Sequence, residues 1–216
     1  MIQPNDIVLF QGDSITDCDR DRTVTEPNHQ HALGRGYVFH TAAALLADHP
    51  AANLRIYNRG ISGNKVTDLA DRWQPDCLDL QPTVLSVLIG VNDTWHGTGK
   101  GNPDASVPLD TYEQTYRQIL TQARDAQPKL RLVLCDPFVL RCGGVTDEWF
   151  PEFDQRRALV KKLATEFEAV FVPFQDMYDQ ALSQAEPAYW AGDGVHPSMA
   201  GHALMARTWL AAIADF

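Results

Sequence analysis

Five short apolar runs alternate with longer segments of helical spacing, and this alternation limits the possible folds more than any other feature of the chain. The runs predict buried strands over residues 7–10, 54–57, 83–89, 130–134 and 170–173. The periodic segments predict helices over residues 37–48, 66–80, 109–126, 154–169, 175–184 and 198–214. Strands that alternate with helices form parallel sheets covered on both faces. The sequence therefore predicts an α/β fold, a doubly wound three-layer sandwich around a five-stranded parallel sheet, with residues 1–216 in a single domain.

A serine follows the first predicted strand almost directly, at Ser14 in the sequence GDSIT. The carboxyl ends of the strands in an open α/β sheet form the ligand crevice, so Ser14 is placed where a substrate can bind. A serine hydroxyl is a weak nucleophile until a base takes its proton, and a third group must orient that base. Asp193 and His196, three residues apart in DGVHP, supply a carboxylate and an imidazole. The sequence predicts a Ser14–His196–Asp193 triad; Asp13 is a rival acid, but it adjoins Ser14 and adjacent extended residues point apart.

These motifs are the first and last of four blocks by which the chain resembles the GDSL, or SGNH, family of serine esterases and acylhydrolases. The blocks occur in the family's order: Ser14 in GDSIT, Gly60 in NRGISGN, Asn92 in GVND, and Asp193 with His196 in DGVHP. The resemblance implies a flavodoxin-like strand order, 2-1-3-4-5, and acyl transfer to water through an acyl-enzyme on Ser14. It implies an oxyanion hole made of the N–H groups of Ser14 and Gly60 and the side-chain amide of Asn92. It implies no metal or organic cofactor.

The stretch YWAGDGVHPSMAGH around the last block also resembles a subgroup that includes acetylxylan and other carbohydrate esterases. Trp190 lies three residues before Asp193, and Trp95 lies three residues after Asn92. Flat aromatic faces suit the apolar faces of sugar rings, although both rings could simply pack in the protein. We expect Trp95, Trp190 and Asp13 to contact a small ester substrate, an acetylated neutral sugar or xylo-oligosaccharide. A lysophospholipase, a thioesterase, a broad short-chain arylesterase and a non-catalytic glycan-binding module remain alternatives.

Two long segments connect predicted elements. Residues 94–108 are expected to wall or cover the pocket, because loops of this length in compact domains are often lids or binding walls. Residues 137–153 carry Trp149, Phe150 and Phe153, which predict either a substrate wall or a subunit contact. Because some of the carbohydrate esterases that the chain resembles form large oligomers, we also expect a homo-oligomer.

Charge and composition exclude several classes of partner. A net charge of −10 disfavours nucleic acid and anionic membranes, both of which call for a basic patch. No apolar run approaches the ~20 residues that span a bilayer, and the first residues, MIQPND, resemble no secretory signal, so we expect a cytoplasmic protein. The four cysteines are widely spaced, and His29 and His31 have no third ligand nearby, so no metal site is predicted.

Overall fold

The computed structural model describes residues 2–100 and 102–214; residues 1, 101, 215 and 216, which the predicted domain includes, lie outside the described residues. Its five strands are β1 (Ile7–Gly12), β2 (Arg55–Asn58), β3 (Val84–Leu88), β4 (Arg131–Cys135) and β5 (Val170–Val172). They form one parallel sheet in the order β2-β1-β3-β4-β5. This result confirms the predicted α/β class and the strand order that the resemblance implied.

Helices cover both faces of the sheet. They are α1 (Ser14–Asp17), α2 (Tyr37–Asp48), α3 (Val66–Asp71), α4 (Trp73–Asp76), α5 (Val91–Trp95), α6 (Leu109–Ala126), α7 (Glu152–Glu166), α8 (Phe174–Ala181), α9 (Pro187–Trp190) and α10 (Met199–Ala214). Alternate residues of β1 point to opposite sides: Val8 and Phe10 pack with α2, α8 and α10, and Leu9 packs with α3 and α6. No helix within the described residues combines the length and the hydropathy that crossing a membrane requires.

The register of the three adjacent strands β2, β1 and β3 brings the sequence blocks together. Gly12 at the end of β1 pairs with Leu88 at the end of β3, and Phe10 pairs with Asn58 at the end of β2. Because the strands are parallel, the segments that leave their carboxyl ends meet at one edge of the sheet. The GDSIT, NRGISGN and GVND blocks are therefore neighbours in space.

The helix predicted over residues 66–80 is wrong as a single element. The chain forms α3, α4 and a short 3₁₀ turn at Leu78–Leu80, with Arg72 outside helical geometry at φ −109° and ψ 11°. Pro75 explains the break, because a proline ring clashes with the carbonyl four residues earlier and lacks the N–H that a continuous helix needs. The sequence contains this signal, since Pro75 predicts a break that a single helix over residues 66–80 leaves out.

Both long segments differ from the prediction: residues 94–108 are partly helical, and residues 137–153 bury two of their three aromatic side chains. The predicted loop over residues 94–108 starts inside α5 and contains 3₁₀ turns at Thr98–Lys100 and Pro103–Ala105; residue 101 lies outside the described part. In residues 137–153, Trp149 and Phe153 are fully buried in the core, so neither forms a substrate wall or a subunit contact as predicted. Phe150 stays partly exposed, with the Arg141 guanidinium carbon 3.9 Å from its ring centroid.

Candidate active site

The predicted triad residues form a continuous chain of hydrogen bonds. Ser14 Oγ lies 2.8 Å from His196 Nε2, and His196 Nδ1 lies 2.6 Å from Asp193 Oδ2. Ser14 is the first residue of α1, directly beyond β1, and the His196 side chain is 43% exposed. The arrangement gives an accessible hydroxyl, a base in contact with it and a carboxylate that orients the base. Asp193, not Asp13, is the acid in contact with the histidine.

The Asp193 carboxylate is held in its ionised form. Partial burial alone would raise its pKa, but hydrogen bonds from the His196 ring and from the backbone N–H groups of His196 and Val195 lower the pKa below its usual value. Those two N–H groups donate to Oδ1 at 2.7 and 2.9 Å, which leaves Oδ2 for the imidazole. A carboxylate fixed on both oxygens cannot rotate away from the histidine.

Part of the segment 137–153, which was predicted to form a substrate wall or a subunit contact, packs against the loop that carries Asp193. Leu140 N donates to Gly194 O at 2.8 Å, and Gly144 N donates to Asp193 O at 2.9 Å. Gly143 has a φ of +57°, and a Cβ there would lie 2.5 Å from the Asp193 Cα, so only glycine allows this approach. Residues 140–144, within the predicted irregular stretch, therefore position the acid of the triad.

Asn92 lies at the start of α5 and is 3% exposed. Its Nδ2 donates to the carbonyl of Asn64 at 3.1 Å. Because an amide carries two N–H groups, one remains for a ligand. The backbone N–H of Ser14, at the first position of α1, has no intrahelical acceptor, as expected for a helix start. Both groups are available for the predicted oxyanion hole.

The assignment of Gly60 to the oxyanion hole is contradicted by its hydrogen bond. Gly60 N donates to Asn58 Oδ1 at 2.9 Å, and the residue is buried, so this N–H is already used. The bond is an Asx turn, in which an asparagine side chain accepts from the backbone two residues on. The Asn-x-Gly sequence was a signal that this N–H would be occupied.

Gly63, in the same block, has the geometry that Gly60 lacks. Asn64 N donates to Ile61 O at 3.1 Å, and Gly63 has a φ of +85° with open space where a Cβ would stand. A hydrogen bond across four residues with positive φ at the third is typical of a type II turn, in which the N–H of the third residue points outward. No acceptor for this N–H is found in the described part of the chain. The carbonyl of the next residue, Asn64, is the one that Asn92 contacts. Gly63 thus replaces Gly60 as the candidate donor.

The three residues assigned to substrate contact have different positions. Trp95, at the end of α5, is partly buried with its ring centroid 5.5 Å from that of His196, so it lies at the site. Trp190 lines a groove of about 600 Å³ between α8, α9 and α10, which no triad residue lines. The hydrogen-bonded triad, rather than cavity size, locates the active site. Trp190 packs against the core, and no contact between its side chain and a triad residue is found in the described part of the chain, so its contact with a substrate stays a prediction.

Asp13 lies beneath the site instead of facing a substrate. It is 1% exposed, and its Oδ1 accepts from Ile15 N at 3.0 Å as the N-cap of α1. Burial, with a contribution from the nearby Asp93 carboxylate, raises the pKa of Asp13 to about 7. The assignment of Asp13 to substrate binding is therefore wrong, and its position indicates that it holds the helix that carries Ser14.

No group of three or more histidine, cysteine, aspartate or glutamate side chains in residues 2–100 and 102–214 is placed to hold a metal ion.

Comparison with known proteins agrees with this geometry. A model of the GDSL-like lipase/acylhydrolase family matches residues 10–204. An acetylxylan esterase from Geobacillus stearothermophilus is 38% identical over 205 residues, 94% of this chain and 91% of that protein. Its crystal structure superposes with a TM-score of 0.90 at 37% identity, over 98% of this chain and 95% of that chain. Structures of its catalytic mutants replace a serine, an aspartate and a histidine, the last two three positions apart.

A crystal structure from Parabacteroides merdae, described as a GDSL-like lipase, superposes with a TM-score of 0.94. The two chains are 45% identical, and the match covers 99% of this chain and 98% of that one. With a family model that spans most of the sequence and an esterase relative over nearly its full length, the chain belongs to the GDSL-like lipase/acylhydrolase family of carboxylic ester hydrolases.

Proposed function

We propose that this protein is a serine esterase that removes short acyl groups, above all acetyl, from carbohydrate esters such as acetylated xylo-oligosaccharides, through an acyl-enzyme on Ser14. The observation that carries the proposal is the chain of hydrogen bonds from Ser14 Oγ through His196 to Asp193 Oδ2. The catalytic mutants of the Geobacillus stearothermophilus esterase concern the same three residue types, with the same spacing between aspartate and histidine.

The first half of the reaction forms the acyl-enzyme. With Nδ1–H donating to Asp193, the Nε2 of His196 accepts the proton of Ser14 Oγ as the oxygen attacks the ester carbonyl. The Asp193 carboxylate stabilises the imidazolium that forms. When the tetrahedral intermediate collapses, the imidazolium gives its proton to the leaving alcohol oxygen of the sugar.

The second half releases the acid. A water molecule attacks the acyl-enzyme while His196 takes one of its protons, and the proton returns to Ser14 Oγ as the ester bond breaks. In both halves the negative charge develops on the former carbonyl oxygen. The N–H groups of Ser14 and Gly63 and the side-chain amide of Asn92 are the donors that stabilise it in this proposal.

Three features support a neutral acetylated sugar as the substrate. The relative at 38% identity is an acetylxylan esterase. The partly exposed Trp95 beside His196 offers a flat apolar face of the kind that sugar rings stack against. The net charge of −10 disfavours anionic lipids and uronate-rich polymers.

The acyl preference is tested by measuring kcat/KM for 4-nitrophenyl acetate, butyrate and octanoate, together with acetate release from peracetylated xylose. Each methylene that a short pocket cannot accommodate should cost about 1 to 3 kcal/mol, so acetate should exceed butyrate at least ~10-fold and octanoate should be nearly inert. Faster turnover of octanoate or of a lysophospholipid would replace this proposal with a lipase or lysophospholipase.

We also propose that the protein forms a homo-oligomer. Among the described residues, the large apolar side chains with substantial exposure are Leu182, Tyr189 and Met199, and all three lie between α8 and the start of α10. Exposed large apolar side chains are typical of contact surfaces. Light scattering at micromolar concentration should give a multiple of the 24.1 kDa chain mass, and a mass equal to one chain would contradict the proposal.

A further inference from the structure

Asp17 is a buried carboxylate that no step of the proposed reaction uses. It is the last residue of α1, three positions after Ser14, and its side chain is 3% exposed. Oδ2 accepts from Ser62 N at 2.9 Å, from Ser62 Oγ at 3.1 Å and from Arg22 Nη2 at 2.5 Å, and Oδ1 accepts from Arg20 N at 3.2 Å. Because four donors converge on it, only an acceptor without hydrogens of its own satisfies this position.

The two bonds to Ser62 fix the turn that carries Gly63. Ser62 is the second residue of the turn 61–64, which the bond from Asn64 N to Ile61 O closes. The peptide between Ser62 and Gly63 contains the Gly63 N–H. With Ser62 held at both its N–H and its hydroxyl, this peptide has little freedom to rotate.

Arg20 connects residues 60–64 to the end of α1 through a second contact. Its Nε donates to the carbonyl of Gly60 at 2.7 Å. Burial lowers the pKa of Arg20 to about 10, and the Asp17 carboxylate opposes that change. The charge of Asp17 therefore supports both of the contacts that hold residues 60–64 against the helix of the nucleophile.

We propose that Asp17 is a positioning residue for the oxyanion hole: its hydrogen bonds to Ser62 hold the 61–64 turn so that the Gly63 N–H faces the oxyanion formed at Ser14. The inference rests on the proposed function. It assigns a role in turnover to a side chain that touches neither the substrate nor the triad. It also predicts that Asp17 contributes to the stabilisation of the transition state and not to the affinity for the substrate.

The primary test compares Asp17→Asn with Asp19→Asn on an acetyl ester. Asp19 is two residues away, and its carboxylate is exposed and paired with exposed Arg35. Loss of an oxyanion donor costs ~100- to 1,000-fold in kcat, so a displaced donor in Asp17→Asn should cost about 10- to 100-fold, with KM changed less than about threefold. Asp19→Asn should keep both constants. A folded Asp17→Asn protein with unchanged kcat, or with a raised KM and normal kcat, would overturn the inference.

A double-mutant cycle separates positioning from a general loss of packing. Ser62→Ala removes one of the bonds to Asp17 at an exposed residue and should lower kcat, whereas Ser62→Thr keeps the hydroxyl and should retain it. If Asp17 acts through Ser62, the Asp17→Asn loss should shrink at least about threefold in the Ser62→Ala background, because residues in one network are not additive. Multiplicative effects of the two changes would contradict the inference.

Two further outcomes are decisive. If Asp17→Asn does not fold, the comparison of Ser62→Ala with Ser62→Thr gives the answer, and equal kcat values would overturn the inference. If the unmodified enzyme neither hydrolyses acetyl esters nor reacts with a fluorophosphonate at Ser14, the proposed function itself fails. An active enzyme whose kcat is indifferent to Asp17 and Ser62 removes only the positioning role.

Discussion

Truncating Asn92 to alanine should remove one oxyanion donor and little else. The amide has two N–H groups, of which one donates to Asn64 O at 3.1 Å and the other is free for the developing charge. Loss of one such donor costs ~100- to 1,000-fold in kcat, or about 3 to 4 kcal/mol. Because the donor acts on the tetrahedral intermediate, KM for an acetyl ester should change little.

The structural cost of the same change is much smaller. The bond from Asn92 Nδ2 to Asn64 O is partly buried, and a neutral hydrogen bond contributes about 1 kcal/mol to stability. For a chain of this size, that loss lowers Tm by about 2 to 4 °C. At 25 °C the variant should therefore be folded, and unfolding cannot account for a hundredfold loss of turnover.

The assay is steady-state hydrolysis of 4-nitrophenyl acetate, with circular dichroism to confirm the fold. Asn92→Asp is the matched isosteric variant: a carboxylate cannot donate to an oxyanion and would repel it, so its kcat should lie below that of Asn92→Ala. A kcat within fivefold of the unmodified enzyme, or a large rise in KM at normal kcat, would show that Asn92 binds substrate or only supports the turn.

Three further predictions concern the acid, the cap and the turn. Asp193→Asn should lower kcat by roughly 10⁴-fold, since the amide no longer stabilises the imidazolium; a loss below tenfold in single-turnover hydrolysis would show that the acid is dispensable. Burial raises the pKa of Asp13 from 3.8 to about 7 in the folded protein. The protonated Asp13 side chain therefore contributes fully to the free energy of unfolding below pH 3.8, the pKa in the unfolded chain, and this contribution is lost as the pH rises through about 7. Asp13→Asn keeps an oxygen for Ile15 N, and it should reduce the fall in urea-unfolding free energy between pH 4 and 8; an identical slope would mean that Asp13 is not buried in its acid form. Gly63→Ala forces a side chain to φ +85° and should lower kcat more than it changes KM, whereas a variant with normal kcat would exclude the turn from the oxyanion hole.

The sequence predicts the sheet and the triad for physical reasons that are visible in short stretches. The apolar runs that became β1 and β3 have both faces buried, and their lack of alternation shows this directly. Asp193 and His196 are three residues apart in one short loop, so their side chains remain within reach of each other. Ser14 meets them because the carboxyl ends of parallel strands lie at one edge of a sheet.

The errors concern features that depend on turn geometry or on distant contacts. Gly60 and Gly63 lie in one sequence block, and which of them has a free N–H depends on the Asn58 side chain, which occupies the N–H of Gly60. The bracing of Asp193 by residues 140–144 joins positions about 50 residues apart, which no local pattern reports. Trp149 similarly looks like a surface aromatic in sequence and is buried in the structure.

The most direct test of the account is the site of covalent reaction with a fluorophosphonate, measured by intact mass and peptide mapping. The Ser14–His196–Asp193 chain predicts that one phosphonyl group is added per chain, on Ser14, and that His196→Ala slows the reaction strongly. Ser14→Ala should abolish both labelling and most hydrolysis of acetyl esters. Labelling that persists in Ser14→Ala, or acetyl ester hydrolysis at the unmodified rate in that variant, would contradict Ser14 as the nucleophile.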